Sequence, residues 1–102
     1  MSETQDKIEC RTPTSGRDGV TRIPAWKYKR VRDAIVKSFA ESSEPHITFT
    51  DLRALAKTHL PEDDTNKIGS WGWHFTTVKL NMEVDGEIAR MAKATPQRLV
   101  LL

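Results

Sequence analysis

The stretch Thr77-Val78-Lys79-Leu80-Asn81-Met82-Glu83-Val84-Asp85-Gly86-Glu87-Ile88-Ala89-Arg90 decides the fold. Val78 and Met82 are four residues apart, so on a helix both point into one core. Gly86 stands where a helix C-terminus takes a left-handed residue, a backbone conformation that glycine adopts without steric cost. Ile88 then opens a segment of period two, with Arg90 turned opposite to its immediate neighbours. A second apolar run, Leu99-Val100-Leu101-Leu102, closes the chain. The order is an amphipathic helix, a glycine stop, a strand, a turn over Lys93 to Pro96, and a final strand.

Upstream, Ser70 is the expected N-cap of this helix. Trp71, Phe75, Val78 and Met82 form a core stripe at spacings of four, three and four. Trp73, Thr77, Leu80 and Val84 form a second stripe at the same spacings. A helix apolar on two faces needs two partners. One is the core; the other is an N-terminal hairpin or a second subunit. Further back, Thr48 and Asp51 have capping-box spacing, and Ile47 and Leu52 occupy the hydrophobic-staple positions. They predict a helix from about Phe49 to His59, with Leu52, Leu55 and Ala56 inward and Pro61 as its stop. Pro61 to Ile68 is acidic, then basic, with room for one short helical turn.

Pro24 fits the first position of another helix, where its missing N–H costs nothing. Tyr28, Val31, Ile35 and Phe39 give that helix one apolar stripe. The simplest reading of Lys29, Arg30, Arg32 and Lys37 is a solvated face. His46-Ile47-Thr48 is a short extended piece. Lys7 to Arg11 and Val20 to Ile23 alternate, predicting a hairpin around a loop from Thr12 to Gly19. Met1 to Asp6 is polar and reads as a flexible tail. Residues 7–102 then form one domain, as 102 residues suggest. The expected class is α+β, a winged helix-turn-helix: a three-helix core, an N-terminal β-hairpin and a C-terminal β-hairpin wing.

Composition narrows the function. The chain is 37% hydrophobic and 29% charged, ordinary for a globular protein. No apolar run reaches the ~18 residues of a membrane helix, and Met1 to Asp6 has no apolar signal region. The expectation is a cytoplasmic protein with no membrane partner. The lone Cys10 cannot form an internal disulfide, which agrees with a reducing compartment. Net charge is +2, unevenly spread: residues 1–24 sum to zero, 25–59 to +3, and 60–102 to −1. The half that holds the last helix and the wing is therefore not basic. Phosphate contacts supply most of the affinity for DNA, so this argues against strong non-specific binding.

The chain resembles a small family of uncharacterised bacterial winged-helix proteins of about this length. The residues that carry the likeness are Lys7-Ile8-Glu9, Pro13 to Gly16, Lys27-Tyr28, Ile47-Thr48 and His59-Leu60-Pro61. They continue through Gly72-Trp73, Thr77-Val78 with Leu80, Gly86-Glu87-Ile88-Ala89-Arg90, and Pro96-Gln97-Arg98. The likeness covers nearly the whole chain from Lys7 and implies the winged-helix fold. It implies no activity, because none is established for the family. The last helix and wing also resemble bacterial winged-helix regulators, a pattern that transfers a fold more safely than a role.

Catalysis is hard to build from these residues. His46, His59 and His74 have no second ligand at a metal spacing, so no metal and no cofactor is expected. His59 is explained by the favourable end of a helix dipole. Nucleophile motifs are missing, and Cys10 reads as a half-buried small hydrophobe. Gly16 to Gly19 is a turn, not a phosphate cradle. The leading expectation is a non-enzymatic, DNA-binding transcriptional regulator that grips double-stranded DNA. Its candidate contacts are His74, Thr76, Lys79 and Asn81 on the last helix, and Arg90, Lys93 and Arg98 on the wing. Glu83 and Asp85 on the same helix would repel phosphate. The alternative is a protein-interaction or dimerisation module without nucleic-acid binding, anchored by Trp73, Leu80 and Val84.

Overall fold

The computed structural model describes residues 7–11, 21–91 and 97–102. Helix α1 (Ala25–Glu41) buries Tyr28, Val31, Ile35 and Phe39, the stripe expected from spacing, together with Ala34 and Ser38. The buried Ser38 hydroxyl is satisfied locally: Oγ donates to the Ala34 carbonyl at 2.8 Å. Pro24 closes the strand before α1 and takes its N-cap position, so the helix opens at Ala25, one position later than expected. Helix α2 (Phe49–Thr58) starts at Thr48, whose side chain accepts from the Asp51 N–H at 3.2 Å. Ile47 and Leu52, the predicted staple pair, are both buried in the core.

The segment expected to hold one short turn is a helix, α3 (Glu62–Ile68). Glu62, Asp63 and Asp64 lie in its first turn, where negative charge meets the positive end of the helix dipole. Its C-terminus is tied down by Lys27, whose Nζ donates to the Ile68 carbonyl at 3.2 Å. Among the described residues there are thus four helices, not three.

Helix α4 (Trp71–Val84) buries Phe75, Val78 and Met82 completely. Trp71 is half-buried against the core, its ring 5.6 Å from Phe75, and its Nε1 donates to the Arg53 carbonyl at 3.1 Å. Ser70 occupies the N-cap position without a side-chain cap; its carbonyl instead accepts from the His74 N–H. At the other end Gly86 has φ +80°. The Glu87 N–H reaches the Met82 carbonyl and the Gly86 N–H reaches the Glu83 carbonyl. That pair of bonds is a Schellman motif, and it turns the chain straight into the next strand.

Among the described residues there are two antiparallel sheets. Strands β1 (Lys7–Cys10) and β2 (Thr21–Pro24) pair with Ile8 opposite Ile23. Strands β3 (His46–Thr48), β4 (Ile88–Arg90) and β5 (Arg98–Leu101) form the second sheet, with β5 in the middle. Leu99 faces Ile47 on one side and Arg90 on the other, and Leu99, Ile47 and Ile88 enter the core. Arg32 of α1 reaches across to Glu87 before β4, Nε to Oε1 at 2.8 Å. That bond holds the Arg32 guanidinium above its ordinary pKa. The result is an α+β domain. The expected tail (1–6), the loop from Thr12 to Gly19, and the wing turn from Lys93 to Pro96 lie outside the described residues, as does Val20.

Candidate functional site

The surroundings of α4 sort its side chains. At about 100° per residue, Trp73, Thr77, Leu80 and Val84 fall within about 60° of one another around the helix. Trp73 is 49% exposed and Val84 43%, with Thr77 and Leu80 partly exposed between them. None of the four carries charge. On one flank lies the β1–β2 hairpin and on the other the start of β5, and each has taken a polar residue of α4 for itself.

Asn81 faces the hairpin and is only 5% exposed. Its Oδ1 accepts from the Arg11 N–H at 2.9 Å, and its Nδ2 donates to Tyr28 Oη at 2.9 Å and to Asp85 Oδ2 at 3.2 Å. Both of its amide donors and one of its two acceptor lone pairs are used inside the domain. Burial pushes the Tyr28 phenol above its ordinary pKa, against the opposing bond from Asn81.

Lys79 faces the sheet and is 2% exposed. Its Nζ lies 2.6 Å from Glu83 Oε2, donates to Gln97 Oε1 at 3.2 Å, and sits 5.2 Å from the Phe49 ring centre. Arg90 takes the other Glu83 oxygen, Nε to Oε1 at 2.6 Å. Glu83 is therefore a bridge between two cations, not an exposed acid. Its Oε2 meets Lys79 as an ion pair without an aligned hydrogen bond. Burial holds the Lys79 ammonium below the usual lysine range; Glu83 opposes that shift and Arg90 adds to it.

Lys79 and Asn81 were expected to face a nucleic acid, and both are instead buried and engaged internally. His74 is half-buried: its Nδ1 is 2.7 Å from the Ser70 carbonyl and its ring meets Trp73 edge-on, 4.8 Å between centres. Thr76 is half-buried beside Lys79. Arg98 is half-buried on β5, with Nη1 donating to His46 Nδ1 at 3.1 Å. Arg90 is exposed and held by Glu83, and Lys93 lies outside the described residues. His59 ends α2, its N–H bonded to the Ala56 carbonyl and its Nε2 3.3 Å from Glu41 Oε1. The structure brings Trp73, Leu80 and Val84 onto one face and does not gather the six described candidate DNA contacts there. Sequence reasoning missed the roles of Gln97, Phe49 and Glu83. Only the Lys79–Glu83 spacing of four residues was a readable signal.

A family model for proteins of unknown function, DUF6958, matches residues 7–99. The chain belongs to DUF6958. The family's span runs from the start of β1 to Leu99 in β5, so it includes the hairpin, α4 and both clusters just described. No curated protein and no solved structure matches this DUF6958 chain. Among its described residues, no helix is long and apolar enough to cross a membrane.

Proposed function

We propose that this chain is a winged-helix protein-interaction module, non-enzymatic, that pairs with a second copy of itself through the outer face of α4. The order α1, β3, α2, α4, β4, β5, with β5 between β3 and β4, supports the winged-helix reading; α3 is an insertion between the last two helices. The observation that carries the pairing is the uncharged Trp73–Thr77–Leu80–Val84 face with Trp73 half-exposed. Contact between two such faces has no like charges to oppose it. The face is also self-complementary. Antiparallel pairing about a dyad midway between Thr77 and Leu80 sets Trp73 opposite Val84 and Thr77 opposite Leu80, large against small each time. Its span of about 16 Å is small for an interface that normally buries about 800 Å² per partner. The expected dimer is therefore a micromolar one.

Light scattering from micromolar upward tests this. Mass rising toward a dimer, with Val84→Glu and Leu80→Glu both monomeric and folded, is the expected result. A monomer at all concentrations overturns the reading. A second reading, DNA binding, is favoured by the position of α4 directly before the β4–β5 pair, the arrangement that grips duplex DNA in many winged helices. It keeps His74, Thr76, Arg90 and Arg98 but loses Lys79 and Asn81. It predicts duplex binding that weakens with salt and a reduced salt slope in Arg98→Ala. Absence of binding at low salt removes it.

A further inference from the structure

Between the first turn of α2, the sheet-facing edge of α4 and the start of β5 lies an open groove of about 390 Å³. Its walls are the Phe49 ring, Leu80 and the side chains of Thr50 and Thr76. Its floor is Lys79, whose side chain is 3% exposed, and Arg90 stands at the edge, 41% exposed. These two cations share one carboxylate, Glu83, through one oxygen each. The cluster therefore keeps one unbalanced positive charge at the edge of the groove, beside Phe49 and Leu80. Among the described residues, only Nε of Arg90 has a partner, so its two terminal nitrogens are available as a fork of the kind that takes a carboxylate. Burial first, and the nearby Arg90 charge last, hold the Lys79 pKa down, and a second anion at Arg90 would offset that repulsion.

We propose that this groove binds a small amphipathic monocarboxylate. Its carboxylate pairs with the exposed Arg90 guanidinium, above the buried Lys79–Glu83 pair, and its ring or branched apolar body lies along Phe49 and Leu80. The volume suits a ring-sized ligand at the small end of known sites. One excess charge matches a monoanion. A doubly charged phosphate would bring extra negative charge against Glu83 and lose hydration to walls with few donors. The site is distinct from the pairing face of α4 and shares only Leu80 with it.

Amide shifts of the full chain, titrated at constant ionic strength with sodium benzoate, sodium acetate and neutral benzamide, test the proposal. Benzoate should give saturable shifts at Thr50, Thr76, Leu80 and Gln97. Acetate, which lacks the body, and benzamide, which lacks the charge, should each bind at least about tenfold more weakly. Arg90→Gln, an exposed substitution that leaves the Lys79–Glu83 pair matched, should weaken benzoate about tenfold while the rest of the spectrum is retained. Val84→Glu, which breaks the pairing face, should leave benzoate binding unchanged, so loss of dimerisation and loss of ligand binding are read separately. The proposal is overturned by no saturable shift at tens of millimolar benzoate, by equal shifts with acetate, or by an unchanged affinity in Arg90→Gln.

Discussion

Cys10 lies on β1, 2% exposed, with its Sγ 3.9 Å from the Ile8 carbonyl. Burial, and then the nearby Asp85 carboxylate, push its thiol from 9.0 up to about 11. The folded chain therefore keeps this proton over a range where the unfolded chain releases it. The stability it contributes is fully present below pH 9 and is lost between pH 9 and about 11. Urea midpoints should fall across that range more steeply in the parent than in Cys10→Ala, with the Tyr28 phenol contributing a similar fall in both. Equal slopes would refute the assignment. At pH 8 the thiolate fraction is about a hundredfold below that of an unperturbed thiol, so alkylation by iodoacetamide should slow by about that factor. This burial was legible in the alternation of Ile8 and Cys10. The fates of Lys79 and Asn81 were not. Each lies between apolar stripes, where helical spacing alone predicts solvent. What buries them is Gln97, eighteen positions on, and Arg11, seventy positions back, and no local pattern announces either.

At the scale of elements, the helices were the most legible part because each apolar stripe repeats over several turns. The end of α4 was equally readable, since one glycine fixed it. Gly86 has φ +80° and nothing within 4 Å of where a Cβ would stand. The cost of Gly86→Ala is therefore backbone strain alone, about 1 kcal/mol. Denaturant midpoints should show that loss with an unchanged m-value, and Gly86→Asn should fall between the two because Asn tolerates the left-handed region better. A fully stable Gly86→Ala would mean that the Schellman turn does not set the path from α4 into β4. The α3 helix was the least legible element. Its seven residues bury Ile68 and offer too short a stretch for an apolar period to emerge. Tertiary contacts such as Lys27 to the Ile68 carbonyl hold it, and these are invisible to local reading. Pairing of β3 with β5 was equally hidden, because the partners are separated by the whole of α2 to β4.

On the scale of the whole molecule, the two sheets share no strand, so the β1–β2 hairpin depends on side-chain ties to the rest. Asn81 is the tie that spans most. It joins the end of β1 through Arg11, α1 through Tyr28 Oη, and the end of α4 through Asp85. Replacing it by leucine keeps the branched skeleton and strands its partners. The Tyr28 hydroxyl is buried and loses its bond, while Arg11 is exposed and its N–H can turn to water. The expected cost is about 2 kcal/mol, within the range for one stranded buried group plus lost bonds. Its distribution matters more than its size. If Asn81 couples the hairpin to the body, native-state hydrogen exchange in Asn81→Leu should show β1–β2 amides opening well below the free energy of global unfolding, while amides of Ile35 in α1 still report the global value. A Tyr28→Phe cycle should recover a coupling energy of about 1 kcal/mol with Asn81. Hairpin and helix amides losing protection equally would instead mean that Ile8, Cys10 and Ile23, which bury the hairpin's inner face, couple it to the body without Asn81.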